Sequence, residues 1–173
     1  MTLLVQYTLI FASVLALVAL GGCFSEHSGV INIGLEGIMV MGALGGALAM
    51  KFIPASTPGI VLFILIVLTS VLVGMVFSLF LGVAAIHFNA DQTLVGTALN
   101  LMGTAAAVVI VRAINVAENP DNVSSTVVYR QAKQVFLVKI GDFEFNWFML
   151  LVVLAIIASH VVLYKTKFGL RLC

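Results

Sequence analysis

The chain has 173 residues, of which 62% are hydrophobic and only 9% are charged, whereas an ordinary soluble domain has about 25% charged residues. This composition excludes a water-soluble globule. Eight Lys and Arg residues balance seven Asp and Glu residues, for a formal net charge of +1, so no basic field is present to recruit nucleic acid. No charge lies before Glu26, between Lys51 and Asp91, or between Glu144 and Lys165. These uncharged stretches are long enough to cross a bilayer.

The apolar stretches predict the fold class. A helix needs about 20 apolar residues to cross a hydrocarbon core about 30 Å thick. Barrel strands alternate apolar and polar residues, and the continuous apolar runs here do not. We therefore predict an all-α fold, a polytopic transmembrane helical bundle forming one membrane domain over residues 1–173, with the second span interrupted. The five predicted spans cover residues 2–22, 30–50, 60–86, 93–111 and 145–164.

The basic residues predict the orientation of the bundle. Short cytoplasmic loops concentrate Lys and Arg, and Lys165, Lys167 and Arg171 follow the fifth span without an acidic residue. We therefore expect the C-terminus in the cytoplasm. With five crossings, the N-terminus and a loop over residues 112–144 then lie outside.

The second predicted span contains the first set of candidate functional residues. Ser28, Asn32 and Glu36 are spaced at i, i+4 and i+8, which places them on one face if the segment is helical. A carboxylate inside a membrane is costly and faces a cavity or a partner. One interpretation is a discontinuous helix that lines a translocation route. The other is that Asn32 and Glu36 lie near the membrane surface and that the helix starts near Gly37.

The fourth predicted span contains a second polar stripe. Thr93, Thr97, Asn100 and Thr104 are spaced 4, 3 and 4 residues apart, so they project from nearly one side of a helix. Uncharged hydroxyl and amide groups can bind a neutral polar solute without a counter-ion. The alternative is hydrogen bonding between helices. We take Thr97 and Asn100 as candidates for a polar lining.

Small residues recur at helix-packing spacing in the second and third spans. Gly42 and Gly46 form a GxxxG motif, and Gly74, Ser78 and Gly82 repeat the spacing. Such spacing lets helix backbones approach closely. These glycines therefore predict helix packing, without implying a ligand.

Motifs for catalysis, nucleotide binding or metal binding are not found in the sequence. Cys23 and Cys173 lie far apart without metal-ligand spacing, and no GxxxxGK[ST], GxSxG or HExxH pattern occurs, so we expect neither a catalytic site nor a metal site. His160, with Glu36, leaves open an alternative function as a proton-coupled secondary carrier.

The segment from Gly22 to Gly46, GCFSEHSGVINIGLEGIMVMGALGG, resembles the permease subunits of ABC importers in the branched-chain amino acid and simple sugar group, in particular the branch associated with nucleoside uptake. Two further blocks are similar to the same family: residues 90–100, ADQTLVGTALN, and residues 166–172, TKFGLRL. The resemblance implies a multi-pass subunit in a bacterial plasma membrane that imports nucleosides or simple sugars.

The resemblance also implies partners. It predicts a second permease subunit, cytoplasmic ATP-binding subunits that bind the ATP, and an extracytoplasmic substrate-binding lipoprotein. The chain itself then needs no cofactor and is not an enzyme. Family members continue beyond the TKFGLRL block, so the similarity covers somewhat more than half of a usual permease. A truncated membrane fragment that does not transport is the corresponding alternative.

Overall fold

The computed structural model describes residues 2–29, 31–54, 56–127, 137–140, 143–167 and 169. Most of the TKFGLRL block, including Arg171, and Cys173 lie outside these residues. The described elements confirm the all-α class and consist of helices with one short hairpin of strands. In chain order they are α1 (Thr2–His27), α2 (Leu35–Phe52), α3 (Gly59–Ile86), α4 (Gln92–Glu118), β1 (Leu137–Ile140), β2 (Phe143–Asn146) and α5 (Trp147–Lys165).

Four of the described helices are long and apolar enough to cross a membrane: α1, α2, α3 and α4. The apolar part of α5 over Met149–Lys165 is shorter. On α1, α3 and α4 many large apolar side chains are exposed, for example Phe11 (68%) and Leu101 (72%). A water-soluble protein would bury such side chains, whereas lipid accepts them.

The chain divides into two compact units. The first comprises Met1–Ile31 and Gln134–Cys173 and contains α1, α5 and the hairpin. In the hairpin β1 pairs antiparallel with β2, with Leu137 opposite Asn146 and Ile140 opposite Phe143.

The second unit, Asn32–Lys133, contains α2, α3 and α4. Its core is formed by Phe77 and Leu81 of α3 and Leu99 of α4, with Ile38 and Met41 of α2 packed against them. The core is small, and the remaining faces of these helices carry exposed apolar side chains.

Glycines allow α2 and α3 to pack closely as an antiparallel pair. A Cβ added at Gly42 would lie 3.3 Å from the carbonyl oxygen of Ser70, and one at Gly46 would collide with the Ser70 hydroxyl. Gly74 faces Gly42 across the same contact. Gly82 has no described atom within 4 Å of an added Cβ, since the antiparallel register puts it level with the residues that precede α2.

The helix bounds differ from the predicted spans mainly in α1, α2 and α4. In addition Phe145 and Asn146, predicted as the start of the fifth span, belong to strand β2, and α5 begins at Trp147. Helix α1 continues past residue 22 to His27, because a helix does not have to end where its apolar run ends. Helix α4 continues to Glu118, inside the stretch predicted as a loop, and ends before Asn119 and Pro120 because proline cannot continue a helix. The interruption predicted within the second span lies before α2, which is unbroken from Leu35 to Phe52.

Candidate functional site

The start of α2 is built from a segment that is not helical. Helix α1 ends at His27, and Gly29 follows with a φ of +78°, a left-handed conformation that suits glycine. Asn32 is then non-helical, and Ile33 and Gly34 form a turn into α2. The predicted single helical face through Ser28, Asn32 and Glu36 is therefore wrong, because the turn at Gly29 follows Ser28 and because Asn32 precedes the helix that contains Glu36.

Helix α2 begins without a side-chain cap from its own N-cap residue. Its N-cap residue, Gly34, has no side chain to accept a hydrogen bond from the first turn. The first N–H groups of a helix have no partner within the helix, and burying them unpaired costs free energy. Gly37, the third residue of α2, is buried, so its N–H needs a partner from elsewhere.

Asn100 of α4 supplies that partner. Its Oδ1 accepts a hydrogen bond from the Gly37 N–H at 2.7 Å, and its Nδ2 donates to the carbonyl oxygen of Ile33 at 2.9 Å. One amide side chain thus caps α2 and holds the turn before it. We call this arrangement the Asn100 clamp: Asn100, the Ile33 carbonyl and the Gly37 N–H. It realises the interhelical hydrogen bonding that was one alternative for the polar stripe of α4.

Backbone contact between α2 and α4 makes the clamp possible. A Cβ at Gly37 would lie 2.5 Å from the carbonyl oxygen of Leu99, and one at Gly103 would lie 2.9 Å from the Cα of Gly37. A Cβ at Gly96 would lie 2.9 Å from the backbone nitrogen of Gly34. No side chain other than hydrogen fits at these positions without movement, so the glycines bring Asn100 within reach of α2.

Glu36 lies in the first turn of α2, next to the clamp, with an exposed side chain. Within the described part of the chain its carboxylate has no hydrogen bond or ion pair. A negative charge near a helix N-terminus is favourable because the helix dipole is positive there. The carboxylate is therefore stabilised by α2 and is available to water or a solute.

Asn32 and Ser28 contribute differently. The Oδ1 of Asn32 is buried and has no hydrogen-bond partner in the described structure, although buried polar atoms are nearly always paired. Ser28 is exposed in the turn after α1, where its hydroxyl donates to the carbonyl oxygen of Ser25 at 2.6 Å. Ser28 belongs to the first compact unit, and Asn32 and Glu36 belong to the second.

The other polar side chains of α4 bond to their own helix. The Thr97 hydroxyl donates to the carbonyl of Thr93 at 2.8 Å, and the Thr104 hydroxyl donates to the carbonyl of Asn100 at 2.9 Å. Both side chains are exposed, and each hydroxyl oxygen can still accept a hydrogen bond. Asp91 caps α4 by accepting from two backbone N–H groups of its first turn, which gives this residue a structural role.

A second polar cluster, which the sequence analysis missed, lies at the other end of α2. The Nζ of Lys51 is 3.0 Å from Oε2 of Glu118 and 3.3 Å from Oδ1 of Asn115. The Lys51 side chain is only 7% exposed. We call Lys51, Asn115 and Glu118 the lysine clasp. The sequence signal that could have indicated this cluster is weak. It consists of Lys51 at a helix end, and of Asn115 and Glu118, which are three residues apart in the stretch predicted as a loop.

His160, the residue invoked for proton coupling, lies on α5 in the first unit. Its ring centroid is 5.0 Å from that of Tyr164, which also stands 6.2 Å from the ring of His27. The structure therefore gives His160 an aromatic neighbour on its own helix.

Comparison with known proteins assigns the family. Residues 4–173 match the model of the branched-chain amino acid transport system / permease component family. The chain belongs to this family. The match includes both helices of the Asn100 clamp and confirms the resemblance found in the sequence.

Relatives with curated names include two bacterial permeases. The guanosine ABC transporter permease protein NupQ of Bacillus subtilis is 36% identical over 99% of this chain and 55% of its own length. The nucleoside ABC transporter permease protein NupC of Lactococcus lactis is 33% identical over 98% of this chain and 54% of its own length. The chain thus spans about half the length of these relatives. No solved structure matches it significantly.

Proposed function

We propose that this chain is part of the membrane permease subunit of an ATP-driven ABC importer for nucleosides or related simple sugars. The observation that carries the proposal is the start of α2. There an exposed carboxylate, Glu36, and an unpaired buried amide oxygen, that of Asn32, lie beside a helix N-terminus held by Asn100. Similarity to a guanosine and a nucleoside permease over nearly the whole chain supports the choice of solute class.

The side chains at this place suit a neutral, hydroxyl-rich solute. Hydroxyl and amide groups can exchange hydrogen bonds with ribose hydroxyls and base edges without requiring a counter-ion. The polar lining that we propose for the solute route consists of Ser28, Asn32, Glu36, Thr97 and Asn100. In this lining Asn100 acts through its hold on α2, whereas Glu36 and Thr97 present atoms that are free to bind.

The proposal includes the partners and the orientation. The subunit would pair with a second permease subunit and receive solute from an extracytoplasmic substrate-binding lipoprotein. Cytoplasmic subunits would bind and hydrolyse the ATP, so this chain is not an enzyme and holds no cofactor. We place the N-terminus outside and the C-terminus in the cytoplasm of a bacterial plasma membrane, following the basic residues after the fifth span.

Uptake measurements test the energy source and the solute together. Cells that lack the gene for the native protein, and the same cells with the gene restored, are given radiolabelled guanosine with and without a protonophore or ATP depletion. We expect guanosine uptake only in cells that carry the gene. This uptake should stop when ATP is depleted and should continue when the protonophore is added while the ATP level is kept constant. Uptake that follows the proton gradient would favour the proton-coupled carrier, and equal uptake with and without the gene would favour a fragment that does not transport.

A further inference from the structure

The lysine clasp is a buried charge with two partners on α4. An ammonium removed from water is costly unless it is paired and hydrogen-bonded. Glu118, which is 52% exposed, supplies the opposite charge, and Asn115 supplies a neutral acceptor. Lys51 is at the end of α2, so the clasp fixes this end of α2 to the last turns of α4.

Asn115 extends the clasp to the chain that follows α4. It is 3% exposed, and its Nδ2 donates to the carbonyl oxygens of Ser124 at 2.9 Å and of Thr126 at 3.0 Å. The chain therefore turns back after Glu118 and lies against the helix it has just left. We call residues 119–127 the return segment. Since its oxygen accepts from Lys51, the Asn115 side chain on α4 connects α2 to the return segment.

The Asn100 clamp and the lysine clasp have matching registers. Gly37 and Asn100 are 63 residues apart in sequence, and Lys51 and Asn115 are 64 apart. Helices α2 and α4 therefore run parallel. Between the two fastenings α2 rises about 21 Å and α4 about 22.5 Å, at about 1.5 Å per residue. Because the two rises differ by only one residue, both fastenings can close at once.

We propose that α2, α4 and the return segment move as one rigid body during transport, with Asn100 and Asn115 as the positioning residues that fasten α2 to α4. The inference rests on the proposed function. Sliding α2 along α4 would break both fastenings together and leave the Gly37 N–H and the Lys51 ammonium without their partners on α4. The closely packed glycine backbones of Gly37 and Gly103 oppose the same movement. The movement that opens and closes the solute route then takes place around this pair of helices.

Distance measurements between spin labels test the rigid body. Labels are placed at Phe52 and Val116, which are 65% and 40% exposed, in the full-length protein assembled with its partner subunits and with its native cysteines replaced by serine. The distance is measured without nucleotide and after trapping with ATP and vanadate. We expect the same single distance in both states. A shifted distance or a second population after trapping would overturn the proposal.

Variants of the clasp test its role without relying on transport. Lys51→Met should give a broader distance distribution in the resting state and about 10- to 100-fold faster hydrogen exchange in the return segment, since a charged hydrogen bond is lost. Lys51→Arg keeps the charge and should restore both readouts toward those of the native protein. If Lys51→Met does not fold, Glu118→Gln weakens the same clasp at a half-exposed carboxylate and should show the same changes in reduced size.

The outcomes separate the two proposals. A complex that neither hydrolyses ATP nor traps vanadate contradicts the proposed function, and the resting-state variants still decide whether the clasp fastens α2 to α4. If Lys51→Met and the native protein have identical distance distributions and exchange rates, the lysine clasp does not fasten α2 to α4. This conclusion holds whether or not the complex transports.

Discussion

The substitution Asn100→Ala removes the side-chain amide that caps α2 from the neighbouring helix α4. In Asn100→Ala the buried Gly37 N–H loses its acceptor at 2.7 Å, and the Ile33 carbonyl loses its donor at 2.9 Å. A buried donor left unpaired costs about 1 to 3 kcal/mol. Hydrogen bonds between membrane helices contribute about 0.6 kcal/mol on average. Because the N–H of the third residue of α2 has no partner within the helix, we expect the unpaired donor to account for most of the loss. With the bond to the Ile33 carbonyl added, the loss totals about 1.6 to 3.6 kcal/mol.

The assay is SDS-induced unfolding of the purified full-length protein, with its free energy of unfolding obtained from circular dichroism. Thr104→Ala is the matched control: Thr104 is on the same helix, is exposed, and bonds only to its own helix among the described residues. We expect this control to change the free energy of unfolding by less than about 0.5 kcal/mol. If Asn100→Ala is no more destabilising than Thr104→Ala, the clamp does not hold α2 as argued.

Three further predictions concern the same unit. Gly37→Ala puts a methyl group 2.5 Å from a backbone carbonyl of α4 and should lower the free energy of unfolding by about 1 to 3 kcal/mol. Gly82→Ala is its control, since no described atom lies within 4 Å of a Cβ added there, and equal stability of the two variants would contradict the close approach of α2 and α4. Asp91→Ala removes the cap of α4 and should lower the free energy of unfolding by about 0.5 to 2 kcal/mol, whereas Asp91→Asn should lower it little. Comparable losses of stability in both variants would contradict the capping role of Asp91. Glu36→Gln should lower the free energy of unfolding by no more than about 1 kcal/mol, through loss of the favourable charge at the helix N-terminus, but should reduce radiolabelled guanosine uptake at equal expression. Undiminished uptake would remove Glu36 from the route.

The helices could be predicted from the sequence because burial in lipid imposes a simple rule. Long, mostly apolar runs identify α1 to α4 without reference to any other part of the chain. The ends of the helices were less accurate: α1 and α4 extend into polar residues, and hydropathy does not register a helix once it leaves the hydrocarbon core. The break before α2 was expected from its glycines, but its position depends on the local conformation of Gly29.

The candidate site was only partly predictable, because its key partners are backbone groups. Asn100 stood out as a polar residue in an apolar span, but a sequence does not say which carbonyl or N–H an amide meets. The three members of the lysine clasp were missed because Asn115 and Glu118 were assigned to a loop. Their meeting with Lys51 depends on the parallel register of α2 and α4, which is a property of the packed helices.

The accessibility of position 36 tests most directly the claim that the start of α2 faces the solute route. Glu36→Cys is introduced into the full-length protein without its native cysteines and treated with a membrane-impermeant, water-soluble thiol reagent, with and without guanosine, in membranes opened on both sides. Val71→Cys, at an exposed position in the apolar helix α3, is the control for a lipid-facing site. We expect that the thiol of Glu36→Cys reacts, that guanosine slows this reaction, and that the thiol of Val71→Cys does not react. An unreactive thiol at position 36, or equal reactivity at the two positions with no effect of guanosine, would contradict this claim.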